Sequence, residues 1–126
     1  MEDWKTTTGY HPAGVWAKAK QACRDFLESV ARKGKTTYYT EVASSFSHIL
    51  RKSADDPVFH AMLGQISADE HAEGRPLLSC ICLHHDRWSV GNGFFEMAEA
   101  EGFDVSDKMK FWIDEMNKTL AYWKTV

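Results

Sequence analysis

From Pro12 to about Lys33, apolar residues recur at Val15, Trp16, Ala19, Cys23, Phe26, Leu27 and Val30, a spacing of threes and fours that marks one face of a helix. Gly34 supplies the left-handed residue that closes many helices. Residues 1–12 show no such period and read as a flexible segment ahead of a single domain, 13–126. Thr36-Thr37-Tyr38-Tyr39 is a short β-prone run. Thr40 is placed to cap a second helix through about Leu50, with Val42, Ala43, Phe46 and Ile49 facing inward. After a polar loop from Arg51 to Asp55, Asp56-Pro57 has the form of an N-cap followed by proline at the first helical position. This third helix runs to about His71, buries Val58, Phe59, Met62, Leu63 and Ile66, and stops at Gly74.

The second half mixes patterns. Pro76 to Leu83 is a continuous apolar run bounded by turn residues, which predicts a buried strand. His84 to Arg87 reads as a polar turn, with Trp88-Ser89-Val90 pairing back across it. Gly91-Asn92-Gly93 breaks that strand before a short helix from Phe94 to Glu101, ended by Gly102. Ser106 then caps a last helix to about Lys124, with Met109, Trp112, Ile113, Met116, Leu120 and Trp123 inward. The predicted class is α+β, with helices around a small antiparallel β-hairpin. Two short helices followed by a hairpin is the order of a winged helix-turn-helix.

Length and composition agree with one domain: 126 residues, with hydrophobic and charged fractions ordinary for a globular chain. No apolar run approaches the roughly 20 residues that cross a bilayer, which argues against a membrane partner. Met1 to Lys5 is too charged for a signal peptide, so the expected compartment is the cytoplasm. The three cysteines, Cys23, Cys80 and Cys82, form no disulfide pattern and read as small buried hydrophobes.

Charge divides the chain. The first 52 residues carry a net +4 (nine Lys and Arg against five Asp and Glu), and the remainder carries −7 (six against thirteen). A phosphate-binding stripe could come only from the first half: Lys18, Lys20, Arg24, Arg32, Lys33, Lys35, Arg51 and Lys52. The presumed recognition helix, Pro57–His71, offers His60, Gln65, Ser67, Asp69 and Glu70, with Glu73 just beyond, and neither Lys nor Arg, which speaks against base readout.

Gly34 to Ala43, Gly-Lys-Thr-Thr-Tyr-Tyr-Thr-Glu-Val-Ala, resembles the GKVxTYGEVA segment of the DNA-binding domain of O6-alkylguanine-DNA alkyltransferases and alkyltransferase-like proteins. Met62 to Ile66 sits where that family has its recognition helix. Pro76–Leu83 resembles the strand carrying PIxxPCHRVV, and Gly91–Phe95 the glycine turn after it. Gly74 to Phe95 is also similar to a block in small bacterial proteins with a GRPLLS…GxGFF pattern. The resemblance implies a winged-helix fold and duplex DNA as partner. Lys33, Lys35, Tyr39, Arg51, Lys52, His60, Gln65 and Arg87 are the expected contact residues.

The resemblance breaks at the reactive centre. Cys80 aligns best with the family's cysteine, but Ser79 precedes it and Ile81 and Cys82 follow, with no adjoining histidine or arginine to activate a thiolate. The family's recognition-helix arginine also has no counterpart. The expectation is therefore a non-enzyme, without alkyl transfer at Cys80.

Cys80, Cys82, His84, His85 and Asp86 are metal-ligating types, but the C-x-C spacing does not match a structural zinc site, and neither metal nor cofactor is expected. Glu70 or Glu73 with His71 could make an acid–base pair, though surface helix composition explains them as well. The alternative function is a protein-interaction module using acidic and aromatic surfaces, either on a basic protein partner or as a homodimer. Phe111, Tyr122 and Trp4 fall off the apolar stripes, and Glu96, Glu99, Glu101, Asp104 and Asp107 lie near them in sequence.

Overall fold

In a computed structural model that describes residues 4–85 and 90–126, the chain is α+β. Its elements run α1 (Ala13–Arg32), β1 (Thr37–Tyr38), α2 (Tyr39–Ser45), α3 (Pro57–Ala72), a 3₁₀ turn (Leu78–Ile81), β2 (Cys82–Leu83), α4 (Asn92–Ala100) and α5 (Lys108–Thr125). α1 buries Trp16, Ala19, Cys23, Leu27 and Ala31 on the expected stripe, and Gly34 ends its closing turn at a φ of 71°. α3 opens as its sequence dictates: the Asp56 carboxylate accepts from the Val58 N–H at 2.7 Å, and Pro57 takes the first helical position.

The apolar run Pro76–Leu83 is not a long strand. Its polar backbone groups find side chains rather than a neighbouring strand. The Leu77 N–H donates to Glu115 Oε2 at 2.8 Å, and the Ser79 N–H to Ser67 Oγ at 2.9 Å. The Cys80 carbonyl accepts from Trp112 Nε1 at 2.9 Å. With α3 and α5 supplying those partners, Leu78–Ile81 winds into a 3₁₀ turn and only Cys82 and Leu83 remain extended.

The sheet is also not a hairpin. β2 pairs with β1, in parallel, with Thr37 opposite Cys82 and Tyr38 opposite Leu83. Of the expected return strand, Trp88 and Ser89 lie outside the described residues, and Val90 is buried.

Three helix boundaries differ from those the sequence predicts. α2 begins at Tyr39, directly from β1, and the chain turns at Phe46 instead of continuing to Leu50. α4 begins at Asn92, so Gly91 precedes the helix and Gly93 belongs to it. Asp107, not Ser106, caps α5, accepting from the Lys110 N–H at 3.1 Å.

α5 faces the core through Trp112, Glu115, Thr119 and Trp123, which leaves Met109 and Ile113 56% and 39% exposed instead of buried. Residues 4–12 do not hang free: Gln65 on α3 donates to the carbonyls of Trp4 and Thr7, at 2.7 and 2.8 Å. Among the described residues, no helix is long and apolar enough to cross a membrane.

Candidate functional site

The parallel pairing places the end of β2 beside the start of α2, and a cleft opens there. Tyr39, the first residue of α2, stands at its centre. The His60 ring of α3 stacks on it at 5.2 Å, and His84, just past β2, meets it edge-on at 4.6 Å. Phe59 packs on Tyr39 at 6.1 Å. The opposite wall is the start of α4, where the Gly91 N–H donates to the Tyr39 hydroxyl at 3.3 Å. Gly91 lets the two walls approach closely: a Cβ there would stand 2.6 Å from His84 Nε2 and would push the His84 ring aside. The cleft encloses about 280 Å³, with Ser79, Leu63 and Met97 also lining it.

The His60 Nε2 lies 2.8 Å from the Ala54 carbonyl, which can only accept, so Nε2 is the donor in this contact. No carboxylate among the described residues lines the cleft. The walls therefore offer imidazoles, a phenol, Asn92 and the positive end of α4, a set suited to binding more than to carboxylate-assisted acid–base chemistry.

Adjoining the cleft, the Arg51–Asp56 loop carries Arg51, Lys52 and Ser53 over an open groove floored by Thr40, Ser44 and Ser47 of α2 and the turn after it. Arg51 is exposed, as are Lys33 and Lys35 in the turn from α1 to β1, and none of the three makes an ion pair among the described residues. Lys52 is 3.8 Å from Asp56 with a largely covered side chain.

The expected contact residues thus fall into separate places. Tyr39 and His60 share the cleft, Arg51 and Lys52 share the groove, and Lys33 and Lys35 lie in the turn between α1 and β1. Gln65 belongs to neither: it is buried, and its Oε1 accepts from Trp16 Nε1 at 3.0 Å. Ser67 and Glu70 are buried too, so the outer face of α3 is smaller than its sequence suggests. Arg87, with Asp86, lies outside the described residues.

His84 and the Gly91–Asn92 step were missed as cleft residues. A polar turn explained the first and a strand break the second, and no local pattern joins them to Tyr39.

The other candidate chemistry is committed elsewhere. The Arg75 N–H donates to the Glu70 carbonyl at the end of α3 at 2.9 Å, and its side chain forks onto the Glu70 carboxylate at 2.7 and 3.2 Å, while Arg24 Nε reaches Glu70 at 3.0 Å. Burial alone would raise the Glu70 carboxyl, but the hydrogen bonds and charges of Arg75 and Arg24 hold it below the usual carboxylate range. His71 packs on Phe103 instead of pairing with it. Cys80 is fully buried, with its Sγ 3.2 Å from the Thr119 hydroxyl, and burial pushes its thiol up to about 12. Of the off-stripe aromatics, Phe111 packs on Phe94 and Phe103, Tyr122 on Trp123, and Trp4 on Gly64. The described residues bring together no group of three or more metal-ligating side chains.

No protein-family model, curated protein or solved structure matches the chain.

Proposed function

We propose that the chain is a non-catalytic, winged-helix-like module that binds duplex DNA. The observation that carries this reading is the register of the sheet. Gly34–Ala43, Pro76–Leu83 and Gly91–Phe95, the segments that resemble the alkyltransferase DNA-binding domain, are far apart in the chain. Pairing Thr37 with Cys82 sets the first two side by side, and the third closes the cleft at their ends. Lys33, Lys35 and Arg51, exposed cations within or near these segments in sequence, supply phosphate contacts. With no Lys or Arg on α3, contacts to the backbone dominate and sequence preference is weak. The buried Cys80 thiol favours binding without alkyl transfer.

Fluorescence anisotropy of a labelled duplex, titrated at low salt, tests the proposal. The expected result is micromolar binding that is lost when Lys33, Lys35 and Arg51 are all replaced by Glu. No binding by the native chain at low salt would overturn it.

A second reading, a homodimer, is favoured by one observation: Met109 and Ile113, one turn apart on α5, are both exposed. Light scattering after size exclusion decides it. A dimer that dissociates on Ile113→Glu supports that reading, and a monomer at high concentration excludes it.

A further inference from the structure

Trp4 lies across α3 on Gly64, whose missing side chain makes room for the indole; a Cβ there would stand 3.1 Å from Trp4 Cε3. Trp4 walls a cavity of about 190 Å³ between α3 and α4. Four residues, His60, Gly64, Gly93 and Met97, line both this cavity and the cleft, so the indole stands at the cleft's side.

Few contacts fasten the strap formed by residues 4–12. Gln65 is its catch. Its Oε1 is fixed by the Trp16 N–H, so its amide nitrogen faces the carbonyls of Trp4 and Thr7 whether or not the strap is seated. Lys5 Nζ meets Glu101 Oε2 at 2.6 Å. Beyond Thr8 the chain passes through two left-handed residues, Gly9 at φ 59° and Tyr10 at φ 66°. Glycine is demanded at position 9, where a Cβ would stand 2.4 Å from Val58 Cγ1. Tyr10 is strained there, and its fully exposed ring gains no packing in return. His11 Nε2 is buried without a hydrogen-bond partner among the described residues.

We propose that this strap is a hinged cover on the cleft. It turns about Gly9–Tyr10, and lifting Trp4 from Gly64 joins the two cavities into one groove along α3 and α4. A segment fastened mainly by two Gln65 hydrogen bonds, one ion pair and one indole opens more readily than the core unfolds. The proposal rests on the strap's own contacts and stands whether or not the protein binds DNA.

Carbethoxylation of histidines in the full chain by diethyl pyrocarbonate, read residue by residue by mass spectrometry, tests it. His60 lines both cavities and reports the cover, while the exposed His48 is the internal control. Trp4→Ala is expected to speed modification of His60 several-fold and leave His48 unchanged. Tyr10→Asn, which places in the left-handed turn a residue that tolerates it, is expected to slow modification of His60. Unchanged His60 reactivity in a Trp4→Ala chain of native circular dichroism would overturn the proposal. If Trp4→Ala fails to fold, Tyr10→Asn decides it: slower His60 modification supports the cover, and an equal or faster rate overturns it.

Discussion

Cys23, Cys80 and Cys82 are sealed among α1, β2 and the 3₁₀ turn, and burial raises all three thiols. A thiol that neither ionises nor meets solvent does not react, so the native protein should leave all three untouched by Ellman's reagent at pH 8 and yield three equivalents only in denaturant. A fast equivalent from the folded chain would contradict this burial. Glu70 is the other residue whose surroundings dictate its behaviour. Its carboxylate is held low in the folded state, so its contribution to stability is fully present above the unfolded value near 4.3 and is lost as pH falls through the depressed folded value. Glu70→Gln should destabilise by about 2 kcal/mol at neutral pH, below the figure for a fully buried pair because Arg24 and Arg75 keep contact with water. Denaturant melts of both proteins should converge as pH falls below about 4; a gap that persisted at pH 2 would show that the carboxylate's charge is not what matters.

At the scale of elements, capping carboxylates mark the starts of α3 and α5, and α5 provides a direct comparison. Asp107 accepts from the Lys110 N–H, whereas Ser106 makes no such bond, so Asp107→Ala should cost about 1 kcal/mol and Ser106→Ala much less. Chemical denaturation of the two variants checks this, and equal losses would contradict the assignment. α1 and α3 were legible because Trp16, Ala19, Cys23 and Leu27 repeat at helical spacing and Asp56-Pro57 is a strong local start signal. Pro76–Leu83 was not, because an apolar run buried on all sides has no period to read. What bends it is the Glu115 carboxylate and the Ser67 hydroxyl, residues on other helices. The cleft was half legible. Tyr39 and His60 stood out in the sequence, but His84 and Gly91 join them only through the parallel pairing of Thr37 with Cys82, residues 45 apart in the chain.

At the scale of the whole molecule, the charge asymmetry of the sequence survives folding in a particular form. Lys20, Arg24, Arg32 and Lys52 are spent on ion pairs with Asp69, Glu70, Glu28 and Asp56, while Lys33, Lys35 and Arg51 remain uncommitted among the described residues. In the DNA reading, which the sheet register carries, those three cations supply the phosphate contacts. The most direct test is the dependence of duplex affinity on salt for the native chain and for a chain with Lys33, Lys35 and Arg51 all replaced by Gln. If each of the three neutralises one phosphate, the slope of log K against log salt should flatten by about 2.7, or roughly 0.9 per phosphate. An unchanged slope, or a native chain whose binding ignores salt, would contradict the account.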